Sequence, residues 1–228
     1  MSNDLSFEIK IVYDNKCSEA GFLTDFGFSC LIYNHFTNNY LLFDTGGNGK
    51  ILIQNIHRFG IEISSIKKAI ISHNHYDHAG GLQAIYQENK QIEICVPYDN
   101  LISFRRSLPE AKVRGILEMT EIEKNVISSG QFSGKFTSEQ GLFLRLKDNK
   151  LILLVGCAHP GLEKFIIKAQ GLGIIKGIIG GFHGFRDLSY LNGIEFIGAC
   201  HCTQHINLIK KSFSEAFCHM CVGNSLQF

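Results

Sequence analysis

Proline is scarce in this sequence, with three residues in 228. No Pro-rich linker, low-complexity tract or fixed-period repeat divides the chain, so one domain over residues 1–228 is the simplest organisation. Long apolar runs are missing too: no stretch reaches the ~18–20 uninterrupted apolar residues of a membrane span. The opening "MSNDLSFEIKIVYDN" has no basic n-region followed by an apolar h-region, so no secretory signal is expected. Neither sign of charge dominates, with 22 Lys+Arg against 21 Asp+Glu. That balance argues against a broad nucleic-acid footprint, and hence against a nuclease. Eight scattered cysteines without a signal fit a reducing cytosol better than a disulfide framework. The expected setting is cytoplasmic and soluble.

What is present is ample core material and a recurring strand–helix rhythm. Apolar residues make up 45% and charged residues 19%, enough to bury a sizeable core. "FEIKIVYD" alternates as a half-buried strand should, and "SCLIYNHFTNNYLLFDTGG" reads as a hairpin turning at "TNN". "NGKILIQNIHRFG" has helical spacing and a terminal Gly60, followed by strand "KKAIIS", helix "GGLQAIYQENK" and strand "QIEICVP". Residues 98–140 show no clear period and are expected to be loops and irregular structure. Beyond them come a hairpin, "GLFLRLKDNKLILLVG", a helix, "GLEKFIIKAQGLG", strands "IKGIIGG" and "GIEFIGACH", and a helix, "TQHINLIKKSF". Both halves carry strands and helices with apolar faces to cover. An α/β arrangement of two packed sheets with helices outside satisfies both.

One turn stands out chemically. "SHNHYDHAGG" places His73 and His75 on the same side of an extended segment, with Asp77 and His78 where the chain turns toward the next helix. Imidazole and carboxylate suit zinc, manganese or iron. A solvated histidine-rich turn is the alternative, but four potential ligands in six residues beside a glycine pair favour metal. Downstream, "GCAHPG", "GGFHG" and "GACHCTQH" bring Cys157, His159, His183, Cys200, His201 and Cys202, each group after an apolar run and near glycines. Such positions belong to strand ends facing a shared rim.

The H-x-H-x-D-H pattern of His73, His75, Asp77 and His78 resembles the metallo-β-lactamase superfamily, as does "LLFDTGG" with Asp44 at a strand end. "VYDN", "DFGFSCLI", "GCAHPG", "IIGGFHG" and "GACHCTQ" narrow the resemblance. They are similar to the 7,8-dihydropterin-6-methyl-4-(β-D-ribofuranosyl)-aminobenzene-5′-phosphate synthase-like subfamily, from about Ile9 to Gly223 with a shortened middle. Gly184 and Gln204 depart from its pattern, which has Leu and Gly there. The resemblance implies a four-layer αββα sandwich and two divalent metal ions, zinc first, with manganese or iron as alternatives. It implies that His73 and His75 hold one metal with a ligand from "CAH", and that Asp77, His78 and His201 hold the other. His159 is the preferred "CAH" ligand and Cys157 the rival, because a thiolate could take the bridging place of an Asp. Asp44 supports the histidines, and Asp77 also orients the nucleophile. His183 contacts substrate or transfers a proton, unless it is a structural histidine.

Two groups of residues stand outside that pattern. Arg105 and Arg106 are candidate clamps for an anionic substrate, with a solvated basic pair as the alternative. Cys200, Cys202, Cys218 and Cys221 read as small buried thiols, Cys218 and Cys221 on a terminal strand, with a separate zinc site the less favoured reading. The expected function is a metal-dependent hydrolase, or a related enzyme, acting on a small anionic phosphate-ester or pterin-like molecule through metal-activated hydroxide. A di-iron redox enzyme and a non-catalytic metal-binding sensor are the alternatives. A small-molecule partner is expected, with no nucleic acid and no membrane.

Overall fold

The computed structural model describes residues 5–16, 20–134 and 137–228. Strand β1 (Phe7–Tyr13) alternates as its sequence demands, burying Phe7, Ile9 and Ile11. Strands β2 (Ser29–Asn34) and β3 (Asn39–Phe43) form an antiparallel hairpin, with Asn34 opposite Asn39. Its turn spans residues 35–38, slightly earlier than "TNN", and Asn38 supplies the left-handed residue at φ 57°. Helix α1 (Gly49–Arg58) starts at Asn48, whose side chain accepts from Lys50 N and Ile51 N. Gly60, at φ 73°, lets the chain leave that helix in the left-handed region. Then follow β4 (Ile66–Ile70), the single-turn α2 (Tyr76–Ala79), α3 (Leu82–Glu88) and β5 (Glu93–Pro97).

The middle of the chain departs from expectation. Residues 98–140 are not irregular: they hold α4 (Leu101–Ser107), β6 (Lys112–Ile116), β7 (Thr120–Glu123), β8 (Val126–Ser128), β9 (Phe132–Ser133) and β10 (Ser138–Glu139). Lys135 and Phe136 of that stretch lie outside the described residues. Each element is too short to establish a period, and α4 buries only Phe104. Tertiary pairing rather than local pattern makes these strands.

Apart from the last, the remaining elements follow the sequence pattern. They are β11 (Leu142–Arg145), β12 (Leu151–Val155), α5 (Leu162–Ala169), β13 (Ile175–Gly181), β14 (Phe196–Cys200), α6 (Ile206–Ser212) and β15 (Ser225–Gln227). Cys218 and Cys221 lie between α6 and β15, in irregular chain rather than on a strand.

Two mixed sheets result. One runs β15-β1-β2-β3-β4-β5-β6 and the other β14-β13-β12-β11-β8-β7, with β9 and β10 as a small ribbon. Burial separates into three layers. Phe7, Ile9, Phe43 and Ile70 of the first sheet pack with Leu142, Ile152, Leu154 and Ile179 of the second. Leu52, Ile56, Leu82 and Phe104 cover the first sheet's outer face, and Leu162, Phe165 and Ile209 cover the second's. This is the four-layer αββα sandwich.

Topology decides where function can sit. Strands β3, β4, β5 and β6 are parallel, as are β12, β13 and β14. Ligand sites in open α/β sheets lie beyond the carboxyl ends of parallel strands. Here both sheets present such ends.

Leu154 is fully buried between the sheets. Leu154→Ala is expected to cost about 2–5 kcal/mol in equilibrium denaturation. Ile174→Ala, at a position 74% exposed, is expected to stay within about 0.5 kcal/mol of wild type.

Candidate metal centre

Each candidate ligand follows the carboxyl end of a parallel strand. Asp44 follows β3, residues 73–78 follow β4, Cys157 and His159 follow β12, His183 follows β13, and His201 follows β14. Four of these rim segments turn through left-handed residues that are not glycine: Asp44 (φ 59°), Ala158 (56°), His183 (39°) and His201 (47°). Such conformations persist where the surroundings over-determine them.

Asp44 is fully buried and works as an anchor. Its Oδ1 accepts the Ser72 N–H at 2.6 Å, and its Oδ2 accepts the Ser72 hydroxyl at 2.7 Å. The same Oδ2 faces His78 Nδ1 at 2.7 Å, which turns His78 Nε2 toward the rim. Gly156 is required opposite: a Cβ there would lie 2.1 Å from Ser72 Oγ and 3.1 Å from Asp44 Oδ2.

The donor atoms collect into two groups. His73, His75 and His159 form one; Asp77, His78, Cys157 and His201 form the other; within each, the atoms lie within 4.8 Å of one another. His73 Nε2 is 3.1 Å from His75 Nδ1, and His78 Nε2 is 3.2 Å from both His201 Nε2 and Cys157 Sγ. Asp77 Oδ2 lies 3.1 Å from His201 Nε2 and 3.5 Å from His78 Nε2. These separations approach the ~3.3–3.4 Å edge of a nitrogen tetrahedron with bonds of about 2.0–2.1 Å. The two groups adjoin, since the His73 and His78 rings are 4.2 Å apart. Cys157 and His159, rivals for one place in the sequence, come from one loop and enter different groups.

The protonation pattern suits a cation. Burial, then the neighbouring imidazoles, hold His73 well below its ordinary value and bring His159 down to about 4. Burial lowers His75 as well. All three are therefore neutral near pH 7, with lone pairs available. Burial pulls Asp77 upward, but the hydrogen bond from His201 and the charges of His78 and His201 bring it down to about 2, so it is a carboxylate. For His78, burial is outweighed by Asp44, and the net shift is upward. The fit to a metal has a direct mark: His159 Nε2 is buried without a hydrogen-bond partner. A buried imidazole nitrogen without a partner is costly unless something else takes its lone pair. Three neutral imidazoles in one group and carboxylate, thiol and imidazole in the other match zinc and neighbouring transition metals.

Residues unmarked in the sequence complete the centre. Glu139 is fully buried and accepts three consecutive backbone N–H groups, from Cys157, Ala158 and His159, at 2.8–2.9 Å. Burial raises its pKa to about 7 against the opposing pull of those bonds. Asp14 Oδ1 accepts His201 N at 3.1 Å, and Asn15 Oδ1 meets His201 Nδ1 at 3.1 Å. Burial raises Asp14 to about 6. The exposed ring of Phe26 leans on His201 at 5.0 Å. Of these, Asp14 and Asn15 lie in "VYDN" and Phe26 in "DFGFSCLI", while nothing local marks Glu139.

Other expected residues are placed as follows. His183 is exposed on the rim, its ring 4.9 Å from that of His159, beside a cavity of about 490 Å³ that also reaches Glu163, Arg186 and Tyr190. Arg105 donates to the Val113 carbonyl on β6 at 3.2 Å, and neither Arg105 nor Arg106 lines the cavity beside His183. Cys200 and Cys218 belong to the inter-sheet core. Cys221 is buried, and Cys202 is hydrogen-bonded to Cys157. Among the described residues, these four cysteines form no donor group of their own.

Comparison with known proteins agrees with the geometry. A family model described as "Metallo-beta-lactamase superfamily" matches residues 24–164. Uncharacterized protein MJ0448 of Methanocaldococcus jannaschii is 30% identical, over 94% of this chain and 98% of that protein. The 7,8-dihydropterin-6-methyl-4-(beta-D-ribofuranosyl)-aminobenzene-5'-phosphate synthase of the same organism is 27% identical, over 82% and 84% respectively. The crystal structure of Tm1679, "a metal-dependent hydrolase of the beta-lactamase superfamily", superposes with a TM-score of 0.77. It is 24% identical, over 97% of this chain and 99% of its own, and shares the fold.

Loss of Asp44 releases Ser72 and His78 together. Asp44→Ala is expected to weaken zinc binding about 10–100-fold in a competition titration.

Proposed function

The chain belongs to the metallo-β-lactamase superfamily, and from that membership we propose that it is a single-domain, metal-dependent hydrolase acting on a small anionic ester. The supporting observation is the convergence of seven donors into two adjoining groups, one holding the unpartnered His159 Nε2. His73, His75 and His159 hold one divalent ion, zinc in the first instance. Asp77, His78, Cys157 and His201 hold the other. When bound, such ions make a nucleophile from water at neutral pH and stabilise developing negative charge on the substrate.

The chain's own groups do the rest. Asp77, held as a carboxylate, orients the nucleophile. His183, exposed beside the cavity, is placed to hand a proton to the leaving group, since imidazole suits proton transfer near neutrality. Arg186 takes the substrate-facing role in place of Arg105 and Arg106. It lines the same cavity, and its Nε donates to His205 Nε2 at 2.8 Å, which fixes the guanidinium and leaves its other N–H groups for an anion. The 27% identical relative is named for a product bearing a phosphate ester, which supports an anionic substrate of that class.

Two measurements test this reading. Protein purified without added metal is expected to carry close to two divalent ions per chain and to hydrolyse at least one of a panel of phosphodiesters, lactones and thioesters. Chelation should abolish turnover and zinc restore it. Stoichiometric iron with an oxygen-dependent reaction and no hydrolysis would instead mean a redox enzyme. Separately, His75→Ala is expected to lose one ion, and His183→Ala to keep both while kcat falls about 10²–10⁴-fold. Retention of both ions at normal affinity by the first variant removes His75 from the ligand set.

A further inference from the structure

Cys157 and His159 are two residues apart, yet their donors serve different groups. A loop that sends alternate side chains to two places must hold an unusual backbone, and Ala158 does so at φ 56°. The three successive N–H groups of Cys157, Ala158 and His159 point into one concavity, an arrangement suited to an anion. A side chain of this protein fills it. Glu139 Oε1 accepts from Cys157 N at 2.9 Å and Ala158 N at 2.8 Å, and Oε2 accepts from His159 N at 2.8 Å. Each carboxylate oxygen therefore stands behind a ligand of a different group.

The next residue grips the opposite side. Gln140 N donates to the Ser72 carbonyl at 2.9 Å, and its Nε2 donates to the Ile71 carbonyl at 2.9 Å. Its Oε1 accepts the Ser128 hydroxyl at 2.7 Å. Ser72 immediately precedes His73. Both Glu139 and Gln140 are fully buried. One dipeptide thus spans from the loop after β4 to the loop after β12, the two segments that supply every donor of the three-histidine group.

We propose that Glu139 is the positioning residue that holds the two metal groups apart and in register, with Gln140 fixing it against the loop that carries His73. The proposal rests on the two-metal reading above. It makes the carboxylate, rather than mere bulk, the required feature. In Glu139→Gln the amide oxygen can still take the two donors of Cys157 and Ala158. The amide nitrogen then opposes the His159 N–H, donor against donor, and only the three-histidine group is disturbed. Glu139→Asp keeps the charge but withdraws it from all three N–H groups.

Cobalt titration of the metal-free full-length protein separates these effects. A thiolate–cobalt charge-transfer band reports the group containing Cys157, and bound cobalt per chain reports both. Wild type is expected to take two equivalents. Glu139→Gln is expected to keep the thiolate band, with its other equivalent bound about 10–100-fold more weakly. Glu139→Asp should weaken both, and carries the test if Glu139→Gln does not fold. A purely structural role would move the melting temperature alone and leave both equivalents at wild-type affinity; that result, in whichever variant folds, overturns the proposal. Wild-type protein that takes up no cobalt overturns the metal reading as well, so the two failures are distinguishable.

Discussion

The Asp44 carboxylate, fully buried, receives two hydrogen bonds from Ser72 and faces His78 Nδ1 at 2.7 Å. One side chain thereby joins the end of β3, the loop after β4 and helix α2. Without a carboxylate there, the Ser72 N–H and His78 Nδ1 would be buried without their partner, each at a cost of about 1–3 kcal/mol. The orientation of His78 decides where the second donor group can gather, because Cys157 and His201 both meet its Nε2 at 3.2 Å. The arrangement recurs around the rim. Glu139 holds the loop of Cys157 and His159, and Asp14 holds the backbone of His201. Three acidic residues, each from a different strand end or ribbon, brace donor segments, two of which turn through the left-handed Ala158 and His201.

The rim also explains why glycine appears at Gly156 and Gly181. A Cβ on Gly156 would meet Ser72 Oγ at 2.1 Å, and one on Gly181 would lie 2.6 Å from both Cys202 Sγ and the Gly156 carbonyl. Backbone from the second sheet therefore approaches the anchor of the first without an intervening side chain. Close approach of this kind lets donors from two sheets share a space small enough for coordination.

Legibility in the sequence followed range. The cluster from His73 to His78 was visible because its donors are local and lie beside a glycine pair. The distant His159 and His201 were visible as polar residues closing apolar strands. The strand–helix order of both halves was visible too, because those elements are long enough to show a period. What failed was set by contacts between distant segments. Residues 98–140 form short elements whose pairing comes from neighbours, as in β7 against β8 and β8 against β11. Arg105, a candidate clamp by sequence, gives a guanidinium N–H to the Val113 carbonyl, a contact that local sequence does not show. Cys157 and His159 looked like rivals because linear spacing does not reveal the left-handed Ala158 between them. Glu139 and Gln140 look like ordinary polar residues before an apolar strand; only the three-dimensional path of β12 gives them a task.

Neither donor group is drawn from one sheet alone. His73 and His75 come from the first and His159 from the second; Asp77 and His78 likewise meet Cys157 and His201 from across the interface. An ion in either place is a cross-link between segments at least 79 residues apart, formed only when both sheets are folded and packed. Its affinity is therefore folding free energy: a ligand at a thousand times its dissociation constant stabilises the native state by about 4 kcal/mol. On the proposed two-metal reading, ion supply would bear on how long the protein persists as well as on its turnover.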